Sequence, residues 1–256
     1  MNFRPCIDIH NGQVKQIVGG SLIDMGDYAK ENFVSDKDGG YYATLYKNAG
    51  LKGGHIILLN PKDSRYYEDD VLQAKKALAA YNNGLMIGGG INNACEFLKA
   101  GASHVIVTSY VFKNGEILFD NLERIKKETG KEHLVLDLSC RKKDGDYYIV
   151  TDRWQKFTNV KITGKLMKEL SSYCDEYLIH AVDVEGQAHG IESELVRILD
   201  EYNTIPVTYA GGVGSYEDLT LLKELGHNKI DVTIGSALDL FGGKLEFKKV
   251  LDICRS

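Results

Sequence analysis

No stretch of this chain approaches the roughly 20 consecutive apolar residues that a membrane-spanning helix needs. Its opening, MNFRPCIDIH, also lacks the apolar core of a secretory leader, so a cytoplasmic protein without membrane attachment is expected. Paired cysteines are missing too. Cys6, Cys95, Cys140, Cys174 and Cys254 are scattered, odd in number and form no CxxC motif, which argues against a zinc knuckle or disulfide framework and for buried free thiols. Nor does any block of Lys or Arg stand out. With a formal net charge of −5, a nucleic-acid surface is not expected, because such binding leans on basic side chains. Anionic small molecules stay open, since backbone amides at helix starts hold phosphate without much cationic help.

What is present is an alternation. Short runs rich in β-branched residues predict strands over Phe3–Ile9, His55–Asn60, Gly84–Gly88, His104–Ser109, Leu134–Leu138, Tyr177–Val182, Pro206–Ala210 and Asp231–Gly235. Several, such as VIVTS and HIILL, are nearly continuous apolar runs, as parallel strands buried on both faces require. Amphipathic stretches lie between them, among them Val71–Tyr81, Leu118–Thr129, Glu192–Tyr202 and Tyr216–Leu225. Eight such units in 256 residues fit either a closed barrel or a doubly wound open sheet.

An internal repeat decides between these. CIDI at Cys6–Ile9 returns as VLDL at Val135–Leu138, GGGI at Gly88–Ile91 as AGGV at Ala210–Val213, and VIVTSYVF at Val105–Phe112 as DVTIGSALDLF at Asp231–Phe241. The offsets are all about 120–130 residues, close to half the chain. Two four-stranded halves, approximately 1–125 and 126–256, make one α/β domain, a (β/α)8 TIM barrel. Two long segments, Asn11–Gly40 and Ser139–Thr163, follow the first and fifth strands and are expected as lids over the catalytic face.

Two carboxylates sit inside apolar strands: Asp8 in PCIDIH and Asp137 in LVLDLS. A buried carboxylate is costly unless paired or functional. In a ring of eight, strands one and five face each other, so the two acids can work on opposite sides of one substrate as base and acid. The plainer reading is two unrelated caps for the loops that follow. Glycine turns mark the ends of strands three and seven, Gly89 with Gly90 and Gly211 with Gly212. Hydroxyls at the ends of strands four and eight, Thr108 with Ser109 and Ser236 beside Gly235, join them as two expected phosphate sites. Tight turns alone would also explain the glycines. Asn92 or Asn93 is expected to cap the helix after the first pair, and Ser215 with Asp218 the helix after the second. The aspartates stand without His or Glu at ligand spacing along the chain, so no metal is expected.

Over nearly its whole length the chain resembles the phosphoribosylformimino-5-aminoimidazole carboxamide ribotide isomerases of histidine biosynthesis, in their eukaryotic-type branch. The segments that carry the likeness are CIDIHNGQVKQIVGG, GGHIILLNP, GGGIN, VIVTSYVF, LVLDLSCRK, LIHAVDVEG, YAGGVGS and IGSALDLFGG. The resemblance implies a cofactor-free Amadori rearrangement of an aminoaldose to an aminoketose, on a small bis-phosphorylated substrate, by a monomer. It implies that Asp8 takes the proton from ribose C2 and that Asp137 protonates the ring oxygen. It also makes His55 an active-site histidine and Trp154 a stacking side chain, expected to be mobile or outward before substrate binds and ordered over the substrate once it is bound.

The chain departs from the bacterial pattern of this family. Where that pattern reads TDISRDG, this sequence reads HAVDVEG, so His180 and Glu185 are expected as substrate-positioning groups; Asn60 and Asn92 likewise stand where an acid and an arginine are usual. Two alternatives remain open: the cyclase of the same pathway, a sister barrel that works with a glutaminase, and a catalytically silent phosphosugar-binding barrel.

Overall fold

In a computed structural model, which describes residues 1–17, 29–91, 94–152, 154–202 and 204–256, eight parallel strands alternate with eight helices. The strands are β1 (Cys6–His10), β2 (Gly54–Leu58), β3 (Leu85–Gly88), β4 (Val105–Val107), β5 (Leu134–Asp137), β6 (Glu176–His180), β7 (Val207–Ala210) and β8 (Asp231–Thr233). The helices are α1 (Gly39–Asn48), α2 (Tyr67–Ala80), α3 (Ala94–Lys99), α4 (Phe119–Thr129), α5 (Gly164–Leu170), α6 (Ser193–Tyr202), α7 (Tyr216–Leu225) and α8 (Phe247–Arg255). None is long and apolar enough to cross a membrane.

The strands lie side by side in chain order, from Ile7 opposite Ile56 to Tyr209 opposite Val232. Phe3, expected inside the first strand, instead makes an isolated parallel bridge to Val232, and Arg4 N donates to Val232 O at 2.8 Å. This seam joins β8 to β1 and closes the sheet into the expected (β/α)8 barrel. Strands four and six stop earlier than their apolar runs because 3₁₀ turns take over at Ser109–Val111 and Val182–Val184. Helix α2 begins four residues before its first expected residue, with Glu68, Asp69 and Asp70 in the first turn, where acids favour the N-terminal dipole. Ser215 and Asp218 form the expected capping box of α7. The cap expected from Asn92 or Asn93 lies outside the described residues.

The described parts of the two long segments are largely built of strands. Gln13–Ile17 turns back antiparallel along β1 (Ile9 opposite Val14) and pairs with Glu31–Val34, while Gly39 and Gly40 already belong to α1. Cys140–Lys143, Asp146–Thr151 and Lys156–Lys161 form a three-stranded antiparallel sheet beside the mouth. Charged residues in these ribbons, among them Lys15, Lys142 and Lys156, leave no strand-like alternation to read from the sequence. Four cysteines are buried free thiols, as expected; Cys95, whose sulfur contacts the Glu128 carbonyl of α4, is half-exposed.

Candidate active site

Side chains two apart on a strand share a face, so the barrel interior is layered. Met86, Ile106, Val135 and Leu178, with Ile57 against them, form an apolar plug separate from the large core between strands and helices. One step further along β5 and β6 come Asp137 and His180; Asp8 is reached along β1. All three open into a cavity of about 760 Å³ at the C-terminal ends of the strands. Val135 and Leu178 thus floor the cavity into which Asp137 and His180 open.

Asp8 and Asp137 have opposite environments. Gln16, brought back over β1 by the antiparallel ribbon, donates Nε2 to Asp8 Oδ2 at 2.9 Å. Burial first, and then the charge of Glu185, push the Asp8 carboxyl up to about 7, against the opposing pull of His180 and Gln16. Asp137 is buried as well, which works to raise it, but its donors outweigh that. His180 Nδ1 lies 3.3 Å from Oδ1, Ser139 gives both its amide (2.9 Å) and hydroxyl (2.7 Å) to Oδ1, and Thr108 Oγ1 donates to Oδ2 at 3.2 Å. The result lies below the ordinary carboxylate range. Burial works to strip the proton from His180, yet Asp137 holds it on and raises the imidazole to about 9. The site thus sets Asp137, held below the ordinary carboxylate range beside His180, across from an Asp8 carboxyl pushed up to about 7.

Trp154 turns inward over this pair. Its Nε1 donates to Ser139 Oγ at 3.1 Å and its ring lies 5.7 Å from that of His180, so it does not wait outward as expected. Its φ of 68° is a conformation that a bulky residue rarely adopts, held here at the tip of the hairpin. His55 meets His180 edge-on at 6.3 Å. Burial, then His180, hold it neutral with a pKa lowered to about 3. Glu185, raised first by burial, has a buried oxygen with no hydrogen-bond partner among the described residues. A Cβ on Gly211 would come within 3.2 Å of that same oxygen.

The glycine turns flank these groups. Gly89, Gly90, Thr108 and Ser109 line one side of the cavity, and Gly211, Gly212, Gly235 and Ser236 line another. Gly89 and Gly212 have φ of +96° and +77°, and a Cβ on either would sit 2.0 Å from a carbonyl oxygen, of Leu58 or Gly190, so the turns exclude every other residue. The Thr108 hydroxyl is committed to Asp137, and Asp218 Oδ2 takes the amides of Gly214 and Ser215, leaving the amides nearer each turn to meet a ligand. Lys156 is the one Lys or Arg lining the cavity among the described residues.

Sequence reading missed Gln16 and Ser139, which orient the two aspartates. Both lie within the motifs that carry the family likeness, and a polar residue two positions after a strand-end acid was the available signal for Ser139.

A closed barrel whose mouth holds two strand-end aspartates between glycine turns defines the class: a (β/α)8 protein with a cavity for a small-molecule substrate at the C-terminal ends of its strands. The family described as histidine biosynthesis protein matches residues 3–246, and the chain belongs to it. It is 52% identical to the chloroplastic 1-(5-phosphoribosyl)-5-((5-phosphoribosylamino)methylideneamino)imidazole-4-carboxamide isomerase of Medicago truncatula, over 98% of this chain and 81% of the relative. Identity to the isomerases of that name from Yarrowia lipolytica and Saccharomyces cerevisiae is 45% in each case, over 98% and 99% of this chain and 96% and 97% of theirs. The chain is an isomerase of histidine biosynthesis.

Proposed function

We propose that the substrate is N'-[(5'-phosphoribosyl)formimino]-5-aminoimidazole-4-carboxamide ribonucleotide, rearranged to its phosphoribulosyl form by Asp8 and the Asp137–His180 pair. The observation that carries this reading is the asymmetry of the two aspartates across one cavity. Asp8, near half-protonation, suits the removal and return of a carbon-bound proton. Asp137 is ionised while His180 holds the proton, so the pair acts as the acid together.

The balance is simple. The pair protonates the ribose ring oxygen, the C1–O bond opens, and the nitrogen lone pair forms a C1=N bond. Asp8 removes the C2 proton to give an enolamine, which becomes the aminoketose when C1 takes up a proton and the C2 hydroxyl gives one back. No electron acceptor is consumed, so the rearrangement runs on these transfers alone. Glu185, with an oxygen buried and unpartnered, receives a hydroxyl or N–H of the substrate, while Trp154 and His55 pack against its flat imidazole carboxamide. Gly89, Gly90 and Ser109 hold one phosphate; Gly211, Gly212, Gly235 and Ser236 hold the other. The paired turns, like the paired aspartates, fit one domain built of two half-barrels, 1–125 and 126–256.

A monomer suffices, because one chain supplies every group named, and the free thiols suit the reducing cytoplasm. The test is an isomerisation assay on purified protein with and without ammonia and a glutaminase. Turnover independent of both is expected; product only with a nitrogen donor would make the chain a cyclase, and none under any condition a silent barrel.

A further inference from the structure

Beneath the proposed proton-transfer site, three donors of different chemistry converge. Cys6 and Asp8 are two residues apart on β1 and point to the same face. The parallel register sets Cys6 directly opposite His55 on β2. One donor atom from each, the Cys6 sulfur, an Asp8 oxygen and a His55 ring nitrogen, all lie within 4.8 Å of one another. All three line the cavity. The sulfur is held only loosely, by contacts of 3.7 Å from Gln16 Nε2 and 3.9 Å to Ile234 O.

We infer that Cys6, Asp8 and His55 form a three-ligand site for a borderline-soft divalent cation of the Zn²⁺ class, and that occupancy by such an ion inhibits the enzyme. The donor set selects this class: sulfur, imidazole nitrogen and carboxylate oxygen are zinc ligands, whereas magnesium and calcium favour oxygen alone. Two adjacent barrel strands fix the spacing of the donors, so the ligands need only draw together by roughly an ångström to reach ordinary zinc distances. A fourth position faces the cavity and takes water. Binding replaces the S–H bond of Cys6 with a sulfur–metal bond and releases that proton to solvent. The ion is not a cofactor: it engages the carboxylate proposed above to take the C2 proton. The inhibitory consequence rests on that role of Asp8, while the binding itself does not.

Chelator-stripped protein titrated with Zn²⁺ tests the consequence, and Co²⁺ in its place tests the binding. We expect inhibition competitive with substrate and fully reversed by chelator. Cobalt should give a near-ultraviolet thiolate-to-metal band and the visible bands of a tetrahedral ion, both displaced by saturating product. Cys6→Ala should keep its turnover in metal-free buffer, lose the thiolate band and need more than about tenfold higher Zn²⁺ for half-inhibition. Should Cys6→Ala fold poorly, Cys6→Ser serves the same purpose, and His55→Gln, read by the cobalt spectrum alone, should abolish tetrahedral binding. Zn²⁺ that leaves turnover untouched, or inhibits wild type and Cys6→Ala alike, overturns the inference, as does a cobalt spectrum that survives both substitutions. A Cys6-dependent cobalt band in protein with no isomerase turnover would support the metal site while sinking the proposed function.

Discussion

Arg4 at the N-terminal floor of the barrel and His180 at its mouth each face buried carboxylates, and the two ends use that charge differently. At the floor, Arg4 reaches Asp231 at 2.8 Å and Glu176 at 3.4 Å. Thr208 gives its hydroxyl to Glu176 (2.7 Å), and the Asn2 amide goes to Asp231 (2.7 Å). One guanidinium and these neighbouring donors thus serve both carboxylates at once. At the mouth the cation is an imidazole that can lose its proton. Its attention goes to Asp137; among the described residues, Asp8 has a side-chain amide donor in Gln16, and one oxygen of Glu185 has no hydrogen-bond partner. Satisfied charges hold a barrel shut, whereas unsatisfied ones raise its energy until a ligand completes them. The contrast separates the structural from the functional end without reference to any relative.

The strongest way to break this contrast is to neutralise an acid at the mouth. Asp8→Asn and Asp137→Asn should each lower turnover by about 10²–10⁴-fold while circular dichroism shows an intact fold. The folded pKa of Asp8, about 7, lies above its unfolded value of about 3.9. Its stabilising contribution is therefore complete below pH of about 4 and lost as pH rises through about 7. Asp8→Asn should accordingly melt no lower than wild type at pH 8. Near-normal turnover in either variant removes that residue from the mechanism.

Arg4→Met should do the reverse. Two carboxylates lose their cation, costing about 3 kcal/mol in chemical denaturation, while turnover per folded molecule stays near wild type. A dead but stable Arg4→Met would place chemistry at the floor.

A sharper pair compares single acids. Glu176→Gln weakens a satisfied network and should destabilise by about 1 kcal/mol. Glu185→Gln neutralises a carboxylate that has one oxygen unpartnered among the described residues, and should leave the melting temperature level or higher, while raising KM. Equal destabilisation by both would erase the distinction between the two ends.

The pH profile of kcat/KM follows from the same groups. Activity should rise as Asp8 ionises around 7 and fall as His180 loses its proton around 9, giving a bell between these limbs. A flat profile across that window separates both groups from the rate. The smallest effect concerns Trp154, the chain's only tryptophan, already turned inward. Its fluorescence should shift modestly on saturation with product, and Trp154→Ala should weaken binding more than it slows turnover. An indifferent signal with a fully active variant makes it a hairpin anchor.

The sequence by itself determined the alternation of strands and helices, the half-chain repeat, and the positions of Asp8, Asp137 and the glycine turns. These are local matters: apolar runs, strand-end acids and backbone turns are written within a few residues of where they act. Partnership was decided only by the tertiary structure. His180 lies 43 residues from Asp137 in sequence and reaches it because β5 and β6 pair in parallel register, whereas reading in order placed it against substrate. Gln16 reaches Asp8 through an antiparallel ribbon where a loop was expected. Cys6 meets His55 through strand register, although nothing in their spacing along the chain announces it. A carboxylate's proton affinity depends on what surrounds it in space, so two aspartates that look equivalent in the repeat end with opposite shifts.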